Sequence, residues 1–588
     1  MKVESSHEHK RKFDLWLLIN LVVLFSMAVP VSAEIIPSAR RITWQGKVGV
    51  PGGIPDRTTI CATANAGTYG NDSTDARSHI QGLLNSCPSN QVVYLPPGTY
   101  RISSAISIPS GRVLRGAGPS STTLRYTGSS GNMITFGSGS YSGIVSISSG
   151  YTKDSNQLVL SNASGKDVGD LLLVDQVNDG NLVTNQGTNG TCGWCGRDSG
   201  TRSMSQISII TAKNGNTVTI DPPMQYTYSS GLSPEAAEIT GVSTNSGLED
   251  LRLYNSPGNS GTTFTMIANK YSWIKNIHSE RVWGVQTGTS CFHGTMSYGF
   301  RNEIRDSFFE NNNQFFSNSY GIQIVRSTSY ALIENNIFKN AKVYVYLGWG
   351  SSAMVAAYNY VYDVSDGWNT FTGDIQSHGA HPKMMLLEGN YAQKGKFDIV
   401  WGSSSHNTLF RNWYRTTQPS GSYPLTGQRS NIQIYQNNRY FNLVGNVLGD
   451  PSTSWGYESG CSGPTIYVLG YRDLGCSGTR DSQVRSTLLR HGNYDYSTNT
   501  TKWCDDSGEP GCQGGDASLT IPDSLYLPGR PSWWCDELPW PPIGPDLSPM
   551  VSDIPATRRY RGEICTTSST PPPPPNLQPL PPTIISVE

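Results

Sequence analysis

The chain has 588 residues, enough for a large core or several domains, and a formal net charge of -1 with only 15% charged residues. That balance gives no electrostatic footprint for a phosphate backbone and argues against a nucleic-acid partner. With 62 Gly, 30 Tyr and 14 Trp, and with frequent Asn and Ser, the composition is turn-rich and β-leaning. It is full of neutral hydrogen-bonding groups and suits an extracellular protein that meets sugars.

Residues 1–33 read as a secretory signal peptide. Lys2, Lys10, Arg11 and Lys12 form the basic region, LWLLINLVVLFSMAV the apolar one, and VSA ends at Ala33 with the small residues a signal peptidase needs. The apolar run is shorter than the roughly 20 residues that span a bilayer, so no stable membrane insertion is expected after cleavage. Eleven cysteines in an exported chain then imply disulfides. Proximity favours Cys61–Cys87, Cys192–Cys195, Cys461–Cys476, Cys504–Cys512 and Cys535–Cys565, leaving Cys291 free. The CGWC stretch at 192–195 reads as a stapled loop rather than a zinc or redox motif, since no second CxxC and no βαβ pattern accompanies it.

Residues 34–150 form an N-terminal module. GTYGNDSTDARSHIQGLLNSC predicts a helix capped by Ser73 or Thr74 with Ile80, Leu83 and Leu84 on one face. Val92 to Leu95 predicts a strand, PPGTY a turn, and short alternating strands follow. Residues 151–240 predict antiparallel hairpins, among them a turn at Asn214-Gly215, and read as a β-rich insertion carrying the CGWC loop. From 241 to 450 a unit recurs: an apolar strand, Asp or Asn, then another apolar residue. The Asp/Asn positions are Asp250, Asn276, Asp306, Asn336, Asn359, Asn390, Asn412 and Asn446, at spacings of 22 to 34 residues. Variable loops between constant strand-and-turn units predict an all-β parallel solenoid whose coils stack at about 4.8 Å with an amide ladder at the turn. A sandwich would turn every 8–12 residues. Residues 451–570 are rich in Cys, Trp and Pro and read as a disulfide-tied tail, and 571–588 as a polyproline end.

The N-terminal module resembles that of the pectate lyase superfamily. Gly70, Asp72, Thr74, Asp75, Pro96, Gly98, Tyr100, Arg115, Gly116 and Gly118 carry the match, with Asn71 and Ser73 departing from the usual glycines around Asp72. The resemblance implies a right-handed parallel β-helix with an N-terminal capping helix. It also implies a secreted protein acting on polysaccharide. The polygalacturonase set is not present as a set, and the WIDH and RxPxxR motifs of pectate lyases are missing. The reaction therefore has to be sought in the loops.

The stretch DIQSHGAHPKMMLLEGN, 374–390, divides accordingly. MMLLEGN is one more coil, which makes Glu388 a coil-edge residue. DIQSHGAHPK is extra, so Asp374, His378, His381 and Lys383 are catalytic candidates, joined one coil on by Asp398, His406 and Arg411. For β-elimination on a uronate, His378 or His381 serves as base, and Lys383, Arg411 or Arg415 neutralises the carboxylate. For glycoside hydrolysis, Asp374, Glu388 and Asp398 supply carboxylates. Trp349, Trp368, Trp401 and Tyr414 are candidate sugar-stacking surfaces, with Arg415 beside them. A non-catalytic glycan-binding β-helix is the reading from another class. No His/Cys spacing indicates zinc. Calcium is the cofactor the chemistry admits, between polyuronate and protein carboxylates, though no motif marks it.

Overall fold

A computed structural model describes residues 34–567 apart from 257–258, 260, 282–290, 311–318, 342, 363–372, 416–428, 461–462, 473–475, 477 and 519. The architecture is a right-handed parallel β-helix. One bent sheet of 22 strands supplies two sides of each coil, and a ten-stranded sheet supplies the third. Strand follows strand at one coil's remove: Ile274 faces Ile304, then Ile333, Ala356, Leu387, Leu409 and Leu443. That column is an aliphatic stack inside the solenoid, and all of its members are fully buried. It explains why every coil carries an apolar residue at this position.

The turn between the two sides of the bent sheet carries the predicted ladder. Asn359 accepts from the backbone N–H and the amide of Asn336 at 3.0 and 3.1 Å. Asn390 does the same for Asn359, Asn412 for Asn390, Asn446 for Asn412 and Asn493 for Asn446. Each amide also donates to a carbonyl in the preceding coil, Asn390 to Ala356 for example. Asp250, Asn276 and Asp306 lie one residue earlier, in the left-handed position of the same turn (φ 56°, 50° and 55°). There they form a separate chain, Asn276 to Asp250 and Asn335 to Asp306, each at 2.7 Å.

The capping helix runs Arg77–Ser86 with Ile80 and Leu84 buried. One of its first N–H groups, that of Arg77, donates to Asp75 at 2.9 Å, rather than to Ser73 or Thr74. Within 140–240 six antiparallel strands close into a small barrel with its own core of Leu158, Leu172, Val174, Ile210 and Val218. The barrel includes strand Ser140–Ser149, ahead of the insertion boundary read from the sequence. The coils also continue past 450, through strands Thr465–Leu469, Leu489–His491 and Asn493–Asp495. Disulfides join Cys61–Cys87, Cys192–Cys195, Cys504–Cys512 and Cys535–Cys565. Cys476 is also disulfide-bonded, while Cys461 and the Cys291 side chain lie outside the described residues.

The C-terminal segment lies over the bent sheet. Ser524 and Leu525 reach Glu388, Tyr526 reaches Glu334, and Tyr560 stacks near Tyr360 and Tyr362. Glu388 is therefore a buried anchor for this segment, as its coil-edge position suggests, and burial raises its carboxyl to about 7.

Candidate functional site

The ten-stranded sheet positions the site. Strands Ile375–Ser377 and Gly395–Phe397 pair in parallel, with Gln376 opposite Lys396. Side chains alternate across a strand. Ile375 and Phe397 join the core, and Gln376 and Lys396 take the outer face, in a row with Gln323, Tyr346 and Gln433. His378 and Asp398 follow their strands directly. One coil of register sets them side by side, with His378 Nδ1 2.6 Å from Asp398 Oδ2.

The carboxylate is fixed from three directions. Gln376 donates to Oδ2 at 2.6 Å, and the Val400 N–H donates to Oδ1 at 3.0 Å. Burial by itself would raise the Asp398 carboxyl; the adjoining His378 ring, Lys396 and the Val400 N–H outweigh it and hold the group below the usual carboxylate range. An ionised carboxylate only accepts, so Nδ1 donates this bond, and in the neutral ring the lone pair lies on Nε2. Nε2 has no hydrogen bond among the described residues. The His378 side chain is 17% exposed, that of Asp398 0%. Tyr346 packs edge-on against the imidazole at 5.7 Å and donates its hydroxyl to the His378 carbonyl. Lys396 lies over the Tyr435 ring. The arrangement is an imidazole held by a buried carboxylate, with a lysine on the same face.

The other candidates from the sequence separate into different places. His381 and Lys383 do not join His378. The chain turns after Gly379 onto the side that meets the barrel. There His381 is bracketed by Ser403 and Ser405, Lys383 donates to the Ser205 carbonyl of the barrel, and His406 sits on Ser405 beside Tyr226 and Tyr440. All three are structural contacts. Asp374 lies buried at the start of its strand, accepting from the Gln393 and Lys394 N–H groups, with burial raising it to about 7 against those bonds and Arg415. Tyr414 is in the core, and Arg415 donates to the Val361 carbonyl beneath Tyr360 and Trp413. Arg411 binds Asp546 and the Ile521, Pro522 and Ile543 carbonyls, so it fastens the C-terminal segment and does not reach the dyad. Trp349 and Trp401 flank the 378–380 loop; Trp368 lies outside the described residues.

The barrel contact has a pH signature. Burial, then neighbouring cations, lowers both His381 and His406 from 6.5 to about 3. Between those values the unfolded chain binds protons at these rings and the native chain does not. The stability they lend is therefore present above pH 6.5 and lost as pH falls towards 3. Asp374, Glu334 and Glu388, each raised to about 7, act in the opposite sense as pH rises from their ordinary range. The double variant His381→Asn/His406→Asn is expected to show a flatter fall of Tm on acidification than the wild type. Equal slopes would contradict this account.

Sequence reasoning missed Gln376, Tyr346 and Lys396, which are ordinary strand residues until the register places them. It also missed a second open cluster. His278, Glu280 and Glu310 bring their ligating atoms within 4.8 Å of one another on the bent sheet. Glu310 bonds His278 at 2.8 Å, and Glu280 pairs with Arg252. Burial would raise Glu310, but the His278 bond and charge prevail and lower it. A glycosidase needs one carboxylic acid kept protonated, and Glu310 is shifted the other way.

The solved structures to which the chain is similar differ widely from it in sequence. The tailspike gp61 of Pseudomonas phage phi297 is 12% identical, covering 74% of this chain and 80% of its own, with a TM-score of 0.37. The A-module of the Azotobacter vinelandii mannuronan C-5 epimerase AlgE4 is 13% identical over 69% of this chain and 95% of its own, at 0.25. PfbA, a surface adhesin of Streptococcus pneumoniae, is 12% identical over 67% and 89%, at 0.33. No curated relative matches the chain. The family model for rhamnogalacturonase A/epimerase, pectate lyase-like proteins matches residues 63–369, just over half of the chain and running from the N-terminal module into the coils. With a parallel β-helix and its capping helix in place, the chain belongs to the rhamnogalacturonase A/epimerase, pectate lyase-like family.

Proposed function

We propose that the protein is exported and cleaves a uronate-containing polysaccharide by β-elimination at His378. The observation that carries this reading is the His378–Asp398 dyad at 2.6 Å on the outer face of the ten-stranded sheet. His378 Nε2 removes the proton α to the uronate carboxylate. The electron pair forms the ring double bond, and the glycosidic oxygen leaves, taking a proton from solvent. Lys396, on the same face, supports the negative charge that develops on the carboxylate. Membership of a pectate lyase-like family supports a carbohydrate substrate. Export is supported by the signal-like N-terminus and the disulfides. Among the described residues no helix is long and apolar enough to cross a membrane.

The test is a panel of acidic and neutral polysaccharides read in parallel for the ultraviolet absorbance of unsaturated uronate and for new reducing ends. Both signals together are expected. Reducing ends without absorbance would indicate hydrolysis and overturn the elimination chemistry. Binding with neither signal would indicate a non-catalytic glycan-binding protein.

A further inference from the structure

The barrel sends one hairpin across to the catalytic side of the solenoid. Strands Gln186–Gly187 and Gly190–Thr191 form it. Its backbone is stitched to the coil that carries Asp398: Thr188 and Asn189 donate to the Ile399 and Val400 carbonyls at 3.1 and 3.2 Å, and Thr184 and Ser403 exchange hydrogen bonds. The chain then closes the Cys192–Cys195 disulfide. Both half-cystines are buried with Ala380, and Trp349 and Trp401 pack on the cluster. A Cβ at Gly379, the residue after His378, would stand 3.1 Å from Cys195 Sγ. The floor of the hairpin is thus the loop of the proposed base.

On this floor stands Trp194. The residue is 48% exposed, although the two half-cystines that bracket it are buried. It meets Trp401 edge-on, ring centres 4.8 Å apart. Beneath them Trp349 lies 6.2 Å from the buried Tyr346 ring, which lies 5.7 Å from the His378 ring. About half of Trp194 is left in water while its flanking cysteines are held. It offers a rigid flat face whose conformational entropy has already been removed.

We infer that Trp194 is a sugar-stacking platform, presented by the barrel hairpin, that binds a pyranose ring of the acidic glycan beside the His378–Asp398 dyad. The C–H-rich face of the sugar lies on the indole, and the chain of sugars runs from Trp194 past Trp401 towards the dyad. The barrel thereby acquires a role: it docks through Lys383 and Ser205 and extends the binding face of the solenoid with a residue that no coil supplies.

This inference rests on the proposed glycan site, and its test reads binding apart from turnover. Short oligogalacturonates and oligomannuronates are titrated calorimetrically into the full chain, its Trp194→Ala and Trp194→Phe variants, and Trp503→Ala, a control for an exposed indole in the C-terminal segment (36% exposed). Trp194→Ala is expected to weaken binding of the better ligand roughly tenfold or more, with Trp194→Phe restoring most of it and Trp503→Ala matching the wild type. Where turnover is measurable, KM should rise with kcat nearly unchanged. An unchanged affinity in Trp194→Ala overturns the inference. Absence of binding by the wild type to either oligosaccharide overturns it together with the glycan reading. Trp194-dependent binding without any cleavage upholds the platform and sinks only the catalytic proposal.

Discussion

The His378→Asn variant is expected to lose about 10²–10⁴ in elimination rate, the usual contribution of a positioned general base. Its Tm should move by no more than about 2 °C. Asparagine places an amide where Nδ1 stands, so the buried Asp398 keeps a donor alongside Gln376 and Val400. The lone pair of Nε2 has no counterpart. Asp398→Asn attacks the same device from behind. The neutral amide no longer obliges Nδ1 to be the donor, the tautomer is free to reverse, and a loss of similar size is expected with substrate binding retained. Both variants are read by initial rates of uronate unsaturation and by thermal unfolding. A large fall in Tm with a proportionate loss of activity would make His378 a structural residue.

The largest effect on stability is expected at the amide ladder. Asn390→Ala leaves the Asn359 backbone N–H and amide without their acceptor and deprives the Ala356 carbonyl and Asn412 of a donor. All of these groups are inside the solenoid, where each unsatisfied donor costs about 1–3 kcal/mol, so a loss of about 3–5 kcal/mol is expected. Neighbouring coils pair only with each other, so the damage should be felt first in the coils containing Asn359 and Asn412. Denaturant unfolding with hydrogen exchange measures both the size and the place. A change below about 1 kcal/mol would mean that the ladder is incidental to the stack.

The solenoid was legible because its strands and turns recur while its loops vary. The ladder was legible only in part. Asp and Asn serve both the left-handed turn position and the amide column one residue later, so Asp250, Asn276 and Asp306 look in sequence like the ladder residues they precede. At Asn335-Asn336 both positions are asparagine, and only the hydrogen bonds separate them. The C-terminal coil past 450 was hidden by the cysteines and glycines of the loops around it.

The site was half legible for a related reason. His378, His381 and Lys383 are neighbours in sequence, but a solenoid turns a corner within three residues. His378 faces the outer sheet, while the other two face the barrel. The partner of His378 lies 20 residues away, one coil along the register. Arg411 is basic and near a turn, as a substrate-binding residue would be, yet its ligands come from over a hundred residues downstream. Trp194 was out of reach altogether, since nothing in the CGWC stretch tells that it docks beside Trp401.

The most direct test is the crystal structure of His378→Asn soaked with a short oligogalacturonate. The account predicts the sugar on the outer face of the ten-stranded sheet, its carboxylate towards Lys396 and a ring against Trp194, with the proton-bearing carbon within reach of residue 378. Sugar bound instead on the bent sheet over His278, Glu280 and Glu310 would contradict it.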